Sequence, residues 1–482
     1  MFFNSLEFAI FLPVVFILYW FVFNKNLTYQ NILLLVASYF FYAYWDYRFL
    51  ALLFFSTCLD FFSGLQIESA KSQRMRTFWM WLSVLVNLSF LGVFKYYNFF
   101  AASFADLLGE FGVKTDLWTL KIILPVGISF YTFHGLSYIL DIYKQRITPT
   151  KNFVDYAVFV SFFPLLVAGP IERATHLLPQ IEKPRNFSLA VAKDGLRQIL
   201  WGLFKKIVIA DTCAEYANAA FNNPLDHSGS THLVGAVFFA FQIYCDFSGY
   251  SDIALGCARL FGIELLRNFA FPYFSRDIAE FWRRWHISLS KWFRDYLYFP
   301  LGGSKGGTWM KIRNTFIIFL VSGFWHGANW TFIVWGALNA FYFLPLMILD
   351  RNRDNLDIVA VGRTLPTLKD FLNIAVTFLL TVFAWIFFRA NSIHHAFQYI
   401  GEMFSKSMFS VPEQLSTVRW EILCVLIAFL MTIEWFGREN RYGIETTFLK
   451  KPAVLRWGFY YLIITMMFIF SGKEQQFIYF QF

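Results

Sequence analysis

The sequence predicts an all-α polytopic membrane protein, and three observations indicate this fold class. Of the 482 residues, 57% are hydrophobic and only 15% are charged, whereas a typical soluble domain has about 25% charged residues. The mean hydropathy is +0.49. Apolar runs of about 17 to 25 residues, each long enough to cross a hydrocarbon core of ~30 Å, recur along the whole chain.

The apolar segments give the order of the predicted helices. The first of them lacks a basic region and a small-residue cleavage site, so we interpret it as a retained membrane helix and not as a signal peptide. We expect about ten or eleven true crossings, with the other segments re-entrant or interfacial. The segments are 6–23, 31–45, 47–64, 77–97, 121–141, 153–170, 207–222, 232–262, 314–348, 371–389, 421–437 and 455–471.

One of these segments, 153–170, is expected to bend back inside the protein. It contains Pro164, Gly169 and Pro170. Proline removes a backbone donor, and lipid offers no group to replace the lost hydrogen bond. A re-entrant segment is therefore predicted here.

The distribution of charge predicts the orientation in the membrane. Lysine and arginine gather in 65–76, 171–206 and 263–313, whereas 98–120 and 222–231 carry mainly acidic residues. Basic loops stay in the cytoplasm, so the first three segments are predicted to be cytoplasmic and the N-terminus to lie outside. The net charge of +9 has this explanation, and no soluble basic module for nucleic acid is present.

A single membrane domain over residues 1–482 is predicted, because no soluble domain, linker or repeat interrupts the hydrophobic pattern. The five cysteines are scattered without the spacing of a metal site or a disulfide framework. We therefore expect no metal.

The basic loop at about 263–313 contains a predicted amphipathic helix over 278–298. A helix there has an apolar stripe and a basic remainder, and it would lie at the cytoplasmic boundary. Its arginines either bind lipid headgroups or form a mouth for an anionic cytosolic donor such as coenzyme A, whose phosphates suit arginine forks. The stripe holds Trp282, His286, Leu289, Phe293 and Tyr296, and the donor-binding candidates are Arg283, Arg284 and Arg294.

Two further features of this part of the chain have open interpretations. His286 lies on the apolar stripe, where it is either a packing residue or part of an active site. The segment "LGGSKGG" at 301–307 resembles a phosphate-binding nest, although a plain turn explains it better. It is not a Walker loop.

Two carboxylates lie in the apolar segment "FQIYCDFSGYSDIALGCARLFGI" at 241–263. Charged groups in membrane segments are costly and usually face an interior cavity. Asp246 and Asp252 are therefore either capped by hydroxyls and backbone at a broken helix, or they line a water-filled funnel. Gly249 and Gly256 permit close helix packing.

A histidine between tryptophans stands out in "SGFWHGANW" at 322–330. Burial disfavours the charged imidazolium, so a buried His326 is neutral and free to accept a proton as a general base. A packing histidine fits the same pattern. No nucleophile motif of the serine-hydrolase type appears, which favours base catalysis on a substrate hydroxyl.

The segment "FIYFQF" at 477–482 ends the sequence. Aromatic residues commonly anchor at the membrane interface. The alternative is that Tyr479 enters the active site, where its phenol is a possible acyl acceptor.

Together these motifs resemble the membrane-bound O-acyltransferase (MBOAT) family, in particular its bacterial alginate O-acetyltransferase-like branch. The phrases "FFPLLVAGPIER", "QIYCDFSGYSDIALGCARLFGI", "FWRRWHISLSKWFRDYLYFPLGG" and "SGFWHGANWTFIVWG" carry the resemblance over about residues 120–345. It implies a ring of tilted helices around a central funnel. It also implies that His326 is the catalytic histidine and His286 the second histidine of the site, with Trp325 lining the funnel.

The resemblance further implies a function. An acetyl or other small acyl group would pass from a cytosolic thioester such as acetyl-CoA toward hydroxyls of an extracytoplasmic polysaccharide. A separate SGNH-type O-acetyltransferase and polysaccharide synthesis machinery would be partners, Tyr479 would be an acyl relay, and the bacterial inner membrane would be the location. Thioester chemistry supplies the driving force, so no bound cofactor is expected.

Two other classes of function remain open at this stage. A transporter or flippase for a lipid-linked sugar or acyl carrier would use intramembrane acids and aromatics to line a path, with the histidines only in packing. A structural protein that docks the outer transferase would need no chemistry of its own.

Overall fold

The computed structural model describes residues 1–113, 123–167, 169–449, 451–472, 475, 477 and 478. Over these ranges every regular element is a helix and no strand is present, as the sequence predicts. The chain forms two compact units, one of residues Met1–Val191 with Ala258–Leu266, the other of Ala192–Cys257 with Arg267–Phe482. The single-domain organisation over 1–482 stays a prediction.

The first unit contains nine helices among its described residues, several of them capped by a side chain at the N-terminus. Ser5 and Asn26, for example, accept hydrogen bonds from the backbone N–H groups that open the first two helices. The helices are α1 Leu6–Ile17, α2 Leu27–Asp46, α3 Leu50–Ser69, α4 Gln73–Leu91, α5 Tyr97–Glu110, α6 Ile128–Tyr143, α7 Phe153–Ser161, α8 Phe163–Leu166 and α9 Ala174–Ile181.

Buried polar groups join the helices of the first unit. Asp60 of α3 accepts hydrogen bonds from Ser83 (2.6 Å) and Asn87 (2.8 Å) of α4. Asn31 of α2 donates to Asp155 of α7 over 2.7 Å. Such hydrogen bonds compensate the desolvation of polar groups in an apolar surrounding and hold neighbouring helices in register.

The segment 153–170 is interrupted, as the predicted bend requires, and its re-entrant course stays a prediction. The helical backbone is interrupted at Phe162 (φ −51°, ψ 114°), between α7 and α8, and Pro164 lies in the first turn of α8. Proline fits the first turn because the N–H groups there have no intrahelical partner.

The helices of the second unit are longer on average and carry the residues of interest. They are α10 Leu189–Phe204, α11 Asp211–Asn222, α12 Gly229–Leu260, α13 Ile278–Arg284, α14 Ile287–Phe293, α15 Gly307–His326, α16 Trp330–Ile348, α17 Leu368–Arg389, α18 Ile393–Met403, α19 Trp420–Phe436 and α20 Ala453–Ile469. The first three residues of α10 and the last three of α12 belong to the first unit.

Helix α12 runs unbroken for 32 residues, so the predicted broken helix at 241–263 is wrong. The predicted close packing through small residues is confirmed. A Cβ atom added to Gly249 would lie 2.8 Å from the carbonyl oxygen of Gly202, and one added to Gly256 would lie 2.5 Å from that of Gly195. Helices α10 and α12 therefore touch through their backbones.

Five helical stretches of the described residues are long and apolar enough to cross a membrane. Two shorter apolar helices, Leu6–Val22 and Ala453–Ile469, add to them. The long stretches are Leu27–Ser69, Gln73–Glu110, Gly229–Leu260, Trp330–Ile348 and Leu368–Arg389. A polytopic helical membrane protein, as predicted from composition, is the resulting architecture.

The predicted continuous helix over 278–298 is wrong. Helix α13 ends at Arg284, Trp285 is extended, and His286 adopts a left-handed backbone (φ 43°, ψ 55°) before α14 begins. A positive φ is costly for a residue with a Cβ atom, and such strain concentrates at functional sites. The three- and four-residue spacing predicted the helical character of both halves but not the break.

Candidate active site

His326 is the last residue of α15, at the tight turn between α15 and α16. Gly327 leaves the helix in an extended conformation, and the side chain of Asn329 then accepts a hydrogen bond from the N–H of Thr331 to start α16. The apolar segment 314–348 is thus two antiparallel helices, and the histidine lies at their junction and is 4% exposed.

The two helices of this hairpin approach each other through glycines. A Cβ atom on Gly323 would lie 2.2 Å from the carbonyl oxygen of Phe332, and one on Gly336 would lie 2.4 Å from that of Phe319. Backbone atoms cannot yield as a flexible side chain does. These glycines therefore hold the turn with His326 in place.

Gly323→Ala is expected to destabilise the protein by about 1–3 kcal/mol, because the added methyl group forces the hairpin apart. Gly401→Ala is the matched control: a Cβ there, also inside a helix, meets nothing within 4 Å, and alanine favours the helix. Thermal unfolding in detergent measures both. Equal melting temperatures for the two variants would contradict the close approach.

Aromatic rings surround His326. The centroids of Trp325, Trp335 and Phe388 lie 5.0, 5.2 and 5.3 Å from that of the imidazole. Each ring stands nearly perpendicular to the imidazole, at 71–87°. Such an apolar wall excludes water and strengthens any polar contact made inside it.

His286 is 1% exposed and is held from one side by an asparagine. Its Nδ1 lies 3.2 Å from Oδ1 of Asn268, and its Nε2 has no hydrogen-bond partner among the described residues. His286 lies outside the membrane-spanning stretches, and burial lowers its pKa to about 3. The ring is therefore neutral at physiological pH.

Asn268 determines which nitrogen of His286 carries the proton. The backbone N–H of Ser288 (3.4 Å) and its hydroxyl (2.8 Å) both point at Oδ1 of Asn268. An N–H group can only donate, so the oxygen of the amide faces this way. His286 must then donate from Nδ1, which leaves a lone pair on the buried Nε2.

The structure brings the two predicted histidines to the same tryptophan. The ring of Trp325 lies 6.0 Å from that of His286 and 5.0 Å from that of His326. Phe247 of α12 covers His286 from another direction at 4.6 Å. The two histidines, far apart in sequence, therefore face one aromatic chamber.

A basic cavity of about 760 Å³ opens beside this chamber. Two of its lining residues, Trp282 and Phe319, are in contact with each other at 5.3 Å, and Trp282 also contacts Trp335 at 5.6 Å. Trp335 in turn touches His326. The lining carries four cationic side chains, Arg283, Arg294, Lys311 and Arg353, and one acidic side chain, Asp350.

Of the three predicted donor-binding arginines, the cavity includes Arg283 and Arg294 but not Arg284. Arg284 instead binds the buried Glu280 over 2.7 Å and the carbonyl oxygen of Asp357 over 2.9 Å. The guanidinium of Arg283 also donates to two backbone carbonyls, those of Asn352 and Asn355. The additional cations, Lys311 and Arg353, lie outside the predicted helix, so its periodicity could not reveal them.

The two predicted funnel acids are ion-paired with buried lysines. Lys206 lies 2.8 Å from Asp246, and Lys205 lies 2.5 Å from Asp252. The hydroxyl of Ser248 also accepts from Lys205. The predicted backbone cap is present at Asp246, which accepts a hydrogen bond from the N–H of Ile478. The ion pairs were not predicted, and they compensate charges that would otherwise be costly to bury.

Three further predictions concern the glycine-rich segment 301–307, Tyr479 and metal binding. The segment 301–307 is a turn whose carbonyls at Leu301 and Gly303 accept hydrogen bonds from Asn314. Tyr479 lies outside the described residues. Over the part of the chain that the structure describes, no group of three histidine, cysteine or acidic side chains is placed to hold a metal ion.

Comparison with known proteins identifies the family of this chain. The model of the membrane-bound O-acyltransferase family matches residues 143–388, which include both histidines. The chain is 39% identical to the probable alginate O-acetylase AlgI of Pseudomonas putida, over 90% of this chain and 86% of the relative.

Two further relatives are named for different activities. The peptidoglycan O-acetyltransferase of Helicobacter pylori is 33% identical, over 98% of this chain and 95% of the relative. The teichoic acid D-alanyltransferase of Streptococcus thermophilus is 31% identical over 47% of this chain and 56% of its own length. The chain therefore belongs to the membrane-bound O-acyltransferase family and is a membrane O-acyltransferase.

Proposed function

We propose that this enzyme moves an acetyl group from a cytosolic thioester, acetyl-CoA, toward hydroxyls of an extracytoplasmic polysaccharide. The observation that carries the proposal is the pair of buried histidines at Trp325, beside a cavity rich in cationic side chains. The alginate and peptidoglycan relatives are named as O-acetylating enzymes, which supports acetyl as the acyl group.

The basic cavity suits an anionic donor. Arginine forks and a lysine ammonium bind phosphate oxygens, and four such groups line this cavity against one carboxylate. The acyl end of the donor would pass Trp282 toward Trp335 and His326. In this assignment Arg283 and Arg294 act with Lys311 and Arg353, while Arg284 supports the fold.

The proposed reaction is base-catalysed acyl transfer. The acceptor oxygen attacks the thioester carbonyl while His326 takes the hydroxyl proton. The C–S bond then breaks, and the proton goes to the departing sulfur, so the products are an O-ester and a free thiol. The neutral Nε2 of His286 carries a lone pair and no proton, which suits it to position the hydroxyl by accepting its hydrogen bond.

On the extracytoplasmic side, we propose two further transfers of the acyl group. Tyr479 would receive the acyl group first, and an SGNH-type transferase would place it on the polymer. About ten or eleven crossings, arranged as a ring around a funnel in a bacterial inner membrane, would connect the two sides. The flippase alternative predicts instead that the substrate moves unmodified and that acetyl-CoA is not consumed.

Removal of two cavity cations tests the donor site. In Lys311→Gln with Arg353→Gln, the KM for acetyl-CoA is expected to rise about tenfold, because two charge-assisted contacts to phosphate are lost, while kcat changes little. A short acetyl thioester without phosphates should show no such change. Lys406→Gln, outside the cavity lining, is the control. An unaltered KM for acetyl-CoA in the double variant would overturn the assignment.

A further inference from the structure

The residues near the end of the sequence contact the buried ion pair between Lys206 and Asp246. Three of them are described by the structure: Gln475, Phe477 and Ile478, which we call the tail segment. Phe477 is 1% exposed and Ile478 is fully buried. These two residues are buried inside the second unit and are not part of an α-helix. Their backbone N–H and C=O groups therefore need hydrogen-bond partners elsewhere in the protein.

Lys206 supplies one of those partners. Its ammonium lies 2.8 Å from Asp211, 2.8 Å from Asp246 and 3.2 Å from the carbonyl oxygen of Gln475. An ammonium has three N–H donors. Three oxygen atoms lie within 3.2 Å of this ammonium, and one of them belongs to the tail backbone.

Asp246 supplies the second partner. Its Oδ1 faces Lys206, and its Oδ2 accepts a hydrogen bond of 2.7 Å from the N–H of Ile478. The carboxylate and the ammonium thus bind complementary groups of the tail backbone, three residues apart. Hydrogen bonds to charged groups are the strong ones in a buried setting.

The side chain of Phe477 connects the Lys206–Asp246 pair to the candidate active site. The ring of Phe477 lies 4.5 Å from that of Tyr250 and 6.3 Å from that of Phe247. Phe247 is also the ring that covers His286, at 4.6 Å. The tail therefore contacts a ring that also packs against His286.

We propose that Lys206 and Asp246 form a docking site for the chain's own tail segment, which they hold by its backbone beside the wall of the histidine chamber. The docking itself is independent of the reaction. Its consequence rests on the proposed function: Ile478 directly precedes Tyr479 in the sequence, so loss of the docking is expected to slow acyl transfer to Tyr479.

Labelling of an introduced cysteine tests the docking without an activity assay. In full-length Ile478→Cys, modification of residue 478 by a maleimide in detergent is expected to be slow, because the position is buried. Adding Asp246→Asn should speed the modification at least about tenfold, since the strong contact to the tail N–H and the charge of the pair are lost. Peptide mass spectrometry gives the rate at each cysteine.

The neighbouring pair provides a matched control. Asp252 lies on the same helix as Asp246 and forms an ion pair with Lys205. Lys205 also donates a hydrogen bond to Ser248 and lies over the ring of Tyr244, and none of these residues belongs to the tail. Asp252→Asn should leave residue 478 protected. The native Cys213 and Cys257, both buried, report whether the fold is intact.

Phe477→Ala offers a second route to the same result, because it weakens the tail without touching the ion pair. It should also speed the modification of residue 478. Equal rates with and without Asp246→Asn, or equal acceleration by Asp246→Asn and Asp252→Asn while Cys213 and Cys257 stay protected, would overturn the proposal. Replacement of His326 should leave the modification rate of residue 478 unchanged. The labelling experiment can therefore contradict the tail docking without contradicting the proposed acyl transfer, and the reverse also holds.

Discussion

Replacing His326 with glutamine is expected to lower kcat by about 10²–10⁴-fold, the usual contribution of a positioned general base. Glutamine is polar and close to histidine in size, so it fills the space between Trp325, Trp335 and Phe388. It cannot take the hydroxyl proton. The KM for acetyl-CoA should change little, because the donor cavity is lined by other residues. Steady-state release of thiol from acetyl-CoA measures both parameters.

A packing variant separates lost chemistry from lost structure. Phe388→Leu perturbs the wall of the chamber at 5.3 Å from His326 but leaves the base in place. It should reduce kcat by less than about tenfold. If the glutamine variant kept more activity than Phe388→Leu, His326 would be a packing residue, which was the alternative left open by the sequence.

Asn268→Leu is expected to lower kcat by about 10- to 100-fold, the usual effect of losing a residue that orients an active-site imidazole. Leucine keeps the size of the side chain and removes the acceptor for Nδ1 of His286. The ring can then adopt the other tautomer, which places a proton on Nε2 and removes its lone pair. The effect should fall on kcat and leave the KM of the donor unchanged.

The aspartate variant of the same residue distinguishes orientation from packing. Asn268→Asp keeps an acceptor at the same position, so it should recover most of the activity lost in Asn268→Leu. Its negative charge favours the imidazolium form and raises the pKa of His286. The acidic limb of the kcat profile should therefore move to higher pH. An unshifted profile together with no recovery would show that Asn268 serves only the fold.

The fold class was predictable because the composition and the length of the apolar runs depend directly on whether lipid or water surrounds the chain. Helix positions followed from the same signal, and the bend before Pro164 followed from the chemistry of proline. The break at His286 was not predictable, since a left-handed residue leaves no trace in a three- and four-residue spacing. Tertiary contacts there outweigh the helical pattern.

The site was predictable in its histidines and not in the groups that support them. His286 and His326 are titratable residues in apolar surroundings, which is an unusual pattern on its own. Asn268 is one asparagine in a loop, and only the three-dimensional structure shows that it contacts His286. Lys205 and Lys206 fall in the basic segment 171–206, whose charge predicts a cytoplasmic position and gives no sign of ion pairs with Asp246 and Asp252.

The central claim is that the histidine chamber transfers an acyl group from a thioester to a hydroxyl. The most direct measurement is a single-turnover reaction of the purified full-length protein, in lipid nanodiscs, with acetyl-labelled acetyl-CoA. The proposed mechanism predicts release of free thiol with the label recovered as an O-ester, on the protein or on added polysaccharide, and loss of both in His326→Gln. Label that stays in the thioester with the native enzyme, or an O-ester formed equally fast by His326→Gln, would contradict the claim.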